Sequence, residues 1–227
     1  PGTGRVADGV LAAGRRNGAR AFPKLVKADP PKGRPTRWPL REDTVPKPVT
    51  GIVALMLASE DFIRERGLDP VAWISGMGWA TETAFLGDRD LAKAPALEAA
   101  AKQAYGEAGV ADAATAFDLA EVTDVTPYQA LIALDALGLA SRAQWRDKLP
   151  EFGPDGRLPV NLSGGVASLN PVFCTGLIRI AEVANQLRGR AGAHQKPGVK
   201  RGLAHAASGP AMQYQTVIIL DAGRNAA

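Results

Sequence analysis

The stretch LPVNLSGGVASLNPVFCTGLIRIAEVANQLRGRAG, residues 158–192, contains a glycine pair, an Asn-Pro turn and a helical pattern in direct succession. Gly164 and Gly165 predict a tight loop, because glycine lets the backbone approach a ligand closely. After the turn, apolar residues recur at helical spacing and predict a helix that packs one face inward. That stripe comprises Leu177, Ile180, Ala181, Ala184 and Leu187.

Strand and helix patterns alternate around this stretch, which favours an α/β fold. Apolar runs and turn signals predict strands over residues 52–57, 71–78, 117–122, 200–207 and 213–220. Helices are predicted over residues 61–66, 89–108, 127–137 and 141–148. Thr126 before Pro127 is a strong helix start, since a hydroxyl cap precedes a proline at the first helical position. A turn at residues 208–210 predicts that the last two strands form an antiparallel pair.

The stretch at 158–192 resembles the thiolase signature of a Gly-Gly loop, a His-Pro-x-Gly-Ala-Thr-Gly turn and a helix ending in Gln-Leu-Arg-Gly. Three upstream segments are similar to thiolases of the sterol carrier protein-x or lipid-transfer type, and they occur in the same order. They are GMGWATETAFLGDRDL (76–91), AYGEAGV (104–110) and DLAEVTDVTPYQALIALDALGL (118–139). The resemblance covers residues 51–220 and implies a layered αβαβα fold made of two similar halves, of which this chain supplies the C-terminal half.

The domain organisation expected from this resemblance has two parts. Residues 1–48 are basic and rich in proline, so they are predicted to be a surface loop linking the halves, with a helix at residues 9–21. Residues 49–227 are expected to form the thiolase C-terminal domain.

Composition excludes several classes of protein. A hydrophobic content of 46% and a charged content of 22% are ordinary for a globular protein. Apolar runs fall short of the roughly 20 residues that span a bilayer, and no secretory signal is seen, so a cytoplasmic location is expected. One cysteine and two histidines predict neither a disulfide nor a metal site. Basic residues crowd positions 15–41, but aromatic residues are sparse there, which argues against nucleic acid and leaves a CoA phosphate or plain solvation.

The resemblance implies altered catalytic positions. Thiolases carry their acylated cysteine in the first half, and Cys174 lies instead in the alanine position of the turn, where a small buried cysteine is usually packing. Asn170 matches the histidine that holds the thioester oxygen. Asparagine can donate a hydrogen bond there but cannot accept a proton near neutral pH. A structural Asx-turn or helix N-cap is the alternative interpretation of Asn170.

Two further catalytic candidates are titratable or polar, and one of them, His205, has a structural alternative. Thr123, in TDVT, matches a water-holding His or Asn. His205 or Ala206, in LAHAASGPAMQY, matches the loop that supplies a general acid or base, although a core histidine is common in such a strand.

Tyr128 lies in the first turn of a predicted helix and is either an acid or hydrogen-bond donor at the acyl group, or a core aromatic. Ser163, Gly164, Gly165 and Cys174 are the candidates for contacting CoA or the acyl group, because the family counterpart of the glycine pair approaches the pantetheine arm.

Three functions remain open. The first is carbon–carbon bond formation or cleavage at a CoA thioester, of the acetyl-CoA acetyltransferase type, completed by an N-terminal half in the same or a separate chain. The second is a retro-aldol lyase that needs no cysteine nucleophile, acts on a β-hydroxyacyl-CoA with a sterol side chain, and works with an OB-fold acyl-CoA-binding partner. The third is a non-catalytic scaffold. In each, acyl-CoA is the ligand, no covalent cofactor is expected, and the resemblance implies a homodimer or tetramer.

Overall fold

The computed structural model describes residues 35–37, 40–69 and 72–223. The predicted helix at residues 9–21 and most of the predicted linker lie outside these residues. A short antiparallel hairpin, β1 (Pro35–Arg37) and β2 (Leu40–Arg41), precedes the main body. No helix among the described residues is both long enough and apolar enough to cross a membrane.

The main body is built on a four-stranded sheet. Its strands, in chain order, are β3 (Trp73–Thr81), β4 (Leu119–Glu121), β5 (Arg201–Ser208) and β6 (Tyr214–Asp221). The spatial order is β3-β6-β5-β4, in which β6 is antiparallel to both β3 and β5, and β4 is parallel to β5. The predicted antiparallel pair of the last two strands is confirmed.

Seven α-helices are described: α1 (Glu60–Arg66), α2 (Pro95–Ala108), α3 (Ala113–Ala116), α4 (Pro127–Ala136), α5 (Trp145–Lys148), α6 (Gly165–Ser168) and α7 (Thr175–Leu187). Helices α2 and α4 pack on one face of the sheet in a core that includes Leu97, Leu134 and Leu203. Helix α7 packs on the other face, where Leu119, Val183 and Ala204 form a smaller core. The described residues therefore supply a sheet with helices on both faces.

Glycines let α2 lie directly against β3. A Cβ at Gly76 or Gly78 would collide with the backbone carbonyl oxygens of Ala104 and Ala100. Side chains of α2 also reach the free edge of β3, where Gln103 Oε1 accepts from the backbone N–H of Trp79 at 3.2 Å. This contact satisfies a donor on an edge strand, which limits pairing with another chain.

Local signals predicted several element ends correctly. The hydroxyl of Thr126 accepts from the backbone N–H of Gln129 at 3.3 Å and caps α4. Gly109 ends α2 in the left-handed conformation, with a φ of 65°. These ends depend on one or two residues each, which is why the sequence alone defines them.

Other boundaries were wrong. The helix predicted over residues 89–108 begins at Pro95, because proline suits the first helical turn and not the interior. The strand predicted over residues 71–78 lies at Trp73–Thr81. The helix predicted over residues 141–148 is a 3-10 turn, Arg142–Gln144, followed by the short α5.

The buried strand predicted over residues 52–57 is also wrong for the described part of the chain. These residues form no strand pairing with it, and Ile52, Met56 and Leu57 are 82%, 91% and 79% exposed. An apolar run forms a buried strand only where a neighbouring strand satisfies its backbone. Since the described residues offer no such neighbour here, the run stays uncovered.

Candidate functional site

Asn170 opens a turn, residues 170–176, that leads into α7; we call it the Asn170 turn. Its backbone oxygen accepts from the N–H of Val49 at 2.9 Å. Its side-chain Oδ1 lies 3.5 Å from the hydroxyl of Thr175, which also donates to the carbonyl of Val172 at 3.0 Å. The residue at the N-cap of α7 is Cys174, which makes no side-chain cap. The carboxamide of Asn170 therefore does not cap α7.

The Asn170 turn is seated on β5 through a close contact. A Cβ at Gly176 would come within 2.6 Å of the Cβ of Ala206. Because only glycine permits this approach, the start of α7 is fixed against β5 at Ala206. Ala206 is thus the member of the predicted His205–Ala206 pair that lies beside the turn.

His205 faces the opposite side of the sheet. Leu203 belongs to the core under α2 and α4, whereas Ala204 belongs to the core under α7. Side chains alternate along a strand, so His205 shares the face of Leu203 and points away from α7. The two catalytic candidates Asn170 and His205 are therefore not brought together on one face.

The imidazole of His205 is fully buried and bonded at both nitrogens. Its Nε2 lies 2.8 Å from Oε1 of Gln215, and its Nδ1 accepts from the backbone N–H of Thr123 at 3.4 Å. Gln215 donates from Nε2 to the carbonyl of Met212 at 2.6 Å, so its Oε1 must accept from His205. Burial lowers the pKa of His205 to about 4, although the bond to Gln215 opposes the shift. These contacts hold a neutral ring with its proton on Nε2, which favours the core-histidine alternative.

Thr123 uses its hydroxyl to join β4 to β5. The Oγ1 donates to the carbonyl of His205 at 3.1 Å and accepts from the N–H of Ala207 at 3.3 Å. Its side chain is buried, with a relative exposure of 3%. Thr123 and His205 are thus neighbours, but the hydroxyl of Thr123 is occupied by backbone groups.

A buried polar cluster that the sequence did not single out holds the glycine loop, residues 161–165. Arg179 Nη1 donates to Glu121 Oε2 at 2.9 Å and to Ser163 Oγ at 2.8 Å. Ser163 donates from Oγ to Glu121 Oε2 at 2.6 Å and from its backbone N–H to Oε1 at 3.0 Å. All three residues are buried. Burial raises the pKa of Glu121 to about 7, while the charge of Arg179 and the bonds from Ser163 lower it.

Asp124 holds the other end of the glycine loop. Its Oδ1 accepts from the N–H of Val166 at 2.6 Å, and a Cβ at Gly165 would meet both of its carboxylate oxygens. Burial raises the pKa of Asp124 to about 6, although Arg179 and the bond from Val166 oppose the shift. Gly164 and Gly165 have φ values of 90° and 66°, which side chains rarely adopt. The tight loop expected from the glycine pair is therefore present.

The inward face of α7 differs from the apolar stripe seen in the sequence. Its buried residues are Thr175, Arg179, Glu182, Val183, Gln186 and Leu187. Of the predicted stripe only Leu187 is buried, and Leu177 is 44% exposed. Polar residues can face inward here because they have partners, such as His194 for Glu182 at 2.7 Å. A buried charge whose partner lies far along the chain gives no periodic signal, so this face was missed.

The remaining candidates lie at the surface of the site. Cys174 is half-buried and has a free thiol. Tyr128 lies in the first turn of α4 and is 50% exposed, so it is not a core aromatic. A cavity of about 210 Å³ lies between α2, α4 and the β5–β6 hairpin, lined in part by Leu97, Gln129 and Gln215. Gln215 places it on the His205 side of the sheet.

The chain matches a known protein family and is similar in sequence to several known proteins. Residues 78–222 match the family described as thiolase C-terminal domain-like. An acetyl-CoA acetyltransferase from Methanothermobacter thermautotrophicus is 33% identical over 161 residues, which are 68% of this chain and 41% of that protein. Sterol carrier protein 2 from Homo sapiens is 32% identical over 164 residues, which are 68% of this chain and 29% of that protein. The chain thus spans less than half the length of these curated relatives.

Among solved structures, one described as Ltp2-ChsH2(DUF35) aldolase aligns over 93% of this chain and 58% of that chain. The TM-score is 0.68 and the sequence identity is 20%. A likeness at this identity shows a shared fold, and it confirms the fold class expected from the sequence.

Proposed function

The chain belongs to the thiolase C-terminal domain-like family, and from this premise we propose that it is the C-terminal half of an enzyme acting at the carbonyl of a CoA thioester. The proposed reaction forms or cleaves a carbon–carbon bond next to that carbonyl, as the name of the archaeal acetyl-CoA acetyltransferase suggests. The observation that carries the proposal is the Asn170 turn. By sequence resemblance it matches the turn that holds the family's histidine. In the structure it is fixed on β5, and the carboxamide of Asn170 is not used to cap a helix.

Asn170 is the proposed oxyanion donor. A carboxamide N–H aimed at the thioester oxygen would stabilise the negative charge that develops there in the transition state. The glycine loop would bring backbone close to the pantetheine arm, with Ser163, Gly164 and Gly165 at the contact. Cys174 would border the acyl group from within the Asn170 turn.

Neither Asn170 nor His205 is suited to proton transfer. Asparagine cannot accept a proton near neutral pH, and His205 is held neutral with both ring nitrogens bonded. The nucleophile and the base of an acyl transfer would then come from an N-terminal half, in the same chain or a separate one. His205 and Thr123 would act by positioning the end of β4 against β5.

Two uncovered apolar surfaces support such a second half. Ile52, Leu55, Met56 and Leu57 are exposed. Leu177 of α7 and Phe173 of the Asn170 turn are exposed as well, the last to 98%. Contiguous exposed apolar residues mark surfaces that bind another protein or domain. The curated relatives are more than twice as long as the part this chain matches, which leaves room for that half. We expect the completed protein to assemble as a homodimer or tetramer.

A retro-aldol lyase is the second candidate, favoured by the composition of the Asn170 turn. Its only titratable side chain is Cys174. A lyase of this kind needs no cysteine nucleophile, and Tyr128, which is half-exposed, could serve as the acid through its hydroxyl. Its substrate would be a β-hydroxyacyl-CoA carrying a sterol side chain, with an OB-fold acyl-CoA-binding partner. The solved structure described as Ltp2-ChsH2(DUF35) aldolase shares the fold.

The test uses the complete protein that contains this chain. It is mixed with acetoacetyl-CoA and free CoA, and separately with a β-hydroxyacyl-CoA, and products are followed by mass spectrometry. Acetyl-CoA from the first mixture supports the transferase. A shorter acyl-CoA plus a carbonyl compound from the second, without added CoA, supports the lyase. Measurable affinity for acyl-CoA with no product from either mixture would overturn both and leave the scaffold.

A further inference from the structure

Arg179 is a fully buried cation that connects three separate parts of the molecule. It lies on α7, its partner Glu121 ends β4, and its second partner Ser163 lies in the glycine loop. Glu121 and Arg179 are 58 residues apart in sequence. A single guanidinium nitrogen therefore ties a helix, a strand and a loop together without exposure to solvent.

The glycine loop depends on contacts of this kind for its shape. Asn161, Gly164 and Gly165 all have left-handed φ values, of 58°, 90° and 66°. Such a conformation in a short segment persists only where the surroundings impose it. Ser163 Oγ accepts from the N–H of Gly165 at 3.2 Å, so the cluster around Arg179 reaches the glycine pair directly.

Other charged groups face this cluster from the elements packed on it. Asp124 follows β4 and caps α6, while Glu182 is on α7 one turn after Arg179 and is bonded to His194 and Gln186. Only Oε1 of Glu182 is engaged in these bonds, and its Oε2 has no hydrogen-bond partner among the described residues. Arg179 bonds Glu121 and Ser163 through Nη1, while its Nε and Nη2 have no hydrogen-bond partner there. The hydrogen bonds of the guanidinium are therefore directed to the glycine loop and to the strand beside it.

Arg179 also stands close to the Asn170 turn along the same helix. It lies one turn after Thr175, the first residue of α7 and the residue whose hydroxyl contacts Asn170. The helix thus links the proposed oxyanion donor to the glycine loop.

We propose that Arg179 is a positioning residue that sets thioester affinity by holding the glycine loop in register with the Asn170 turn. This inference rests on the proposed function, since it assigns the loop to thioester binding. Arg179 itself is buried under the loop and does not touch the ligand.

The test compares Arg179→Met with a matched control, Arg201→Met, in the complete protein. Arg201 forms a well-aligned ion pair with Asp221, with contacts at 2.7 and 2.9 Å, but it is bonded to β6 and not to the glycine loop. Both variants lose a buried or half-buried ion pair, so both are expected to lower the unfolding midpoint. Only Arg179→Met is expected to raise the Kd for acetyl-CoA, by at least tenfold, against less than twofold for Arg201→Met.

Amide hydrogen exchange at residues 163–165 gives a readout that needs no thioester. Faster exchange there in Arg179→Met, and not in Arg201→Met, is the expected result. Arg179→Lys keeps the charge and should restore part of the affinity. Equal exchange and equal Kd changes in the two Met variants would overturn the positioning role.

A variant with a smaller change covers the case in which Arg179→Met fails to fold. Ser163→Ala removes the hydroxyl that joins Arg179 to Gly165 and that also donates to Glu121, so it should lower the unfolding midpoint less than Arg179→Met does. It should raise the Kd severalfold and also speed amide exchange at Gly165 in the ligand-free protein, which the loss of a direct ligand contact would not do. An unchanged Kd in a folded Ser163→Ala protein would overturn the proposal. Wild-type protein without affinity for any acyl-CoA would instead overturn the proposed function, whatever the exchange result.

Discussion

His205 donates a hydrogen bond from Nε2 to Oε1 of Gln215 at 2.8 Å, in a fully buried position between β5 and β6. This bond and the one from the N–H of Thr123 leave the ring no free nitrogen with which to take a proton. We therefore infer that His205, which the sequence offered as an acid or base, supports the strands around it.

His205→Gln should remove a pH dependence of stability. The pKa of His205 is about 4 in the folded protein, below its ordinary value of 6.5, so between these values the unfolded chain binds the extra proton. The stabilisation is therefore present above about pH 6.5 and lost as the pH falls through 4. As the pH rises from about 4 to about 6.5, the wild type should gain about 3 kcal/mol of unfolding free energy relative to His205→Gln. Urea unfolding at a series of pH values measures it, and parallel curves would refute the assignment.

Asp124→Asn should reveal a pH dependence of stability with the opposite sign to that expected for His205. Burial raises the pKa of Asp124 from 3.8 to about 6, so the folded protein keeps a proton that the unfolded chain has lost. Wild type should thus lose stability relative to Asp124→Asn as the pH rises from about 4 to 6, by up to about 3 kcal/mol. Asparagine keeps an acceptor for the N–H of Val166, which isolates the effect of ionisation. The same urea series reports it, and a difference that does not vary with pH would contradict the raised pKa.

Gly78→Ala and Gly106→Ala form a matched pair on the contact between β3 and α2. A Cβ at Gly78 would collide with the carbonyl of Ala100. The unfolding free energy of Gly78→Ala should therefore be lower than that of the wild type by about 3 kcal/mol or more. Gly106 is exposed within α2 and its Cβ would meet nothing, so alanine there should gain about 1 kcal/mol through helix propensity. Denaturant unfolding of both variants gives the comparison. Similar stabilities would mean that α2 does not lie against β3 as described.

The parts of the fold that the sequence predicted are those with local causes. Thr126 caps α4 through a backbone N–H three residues away, and Gly109 ends α2 through its own φ. The strand pair β5–β6 was visible because its turn and its apolar residues are adjacent in sequence. Each of these signals is complete within a few residues.

The parts that the sequence missed depend on distant partners. Residues 52–57 have the composition of a strand, but a strand also needs a neighbour, and composition does not supply one. Arg179 can lie on the inward face of α7 because Glu121, 58 residues earlier in the sequence, pairs with it. A periodic pattern does not reveal such a distant partner. His205 was correctly placed in a strand, yet its direction depends on the register of β5. The family resemblance identified Asn170, Thr123 and the glycine loop as positions of interest, while the cluster that supports the loop emerged only from the contacts.

Turnover of Asn170→Ala tests the proposed site most directly. In the complete protein, with whichever of the two substrate mixtures the wild type converts, the loss of an oxyanion donor should lower kcat by about 100-fold to 1,000-fold. Asn185→Ala, on the half-buried flank of α7 away from the turn, is the control and should stay within about twofold, as a helix-surface change well away from the reacting atoms. If Asn170→Ala turns over like wild type and like Asn185→Ala, the assignment of Asn170 to the thioester oxygen, and with it the proposed site, is contradicted.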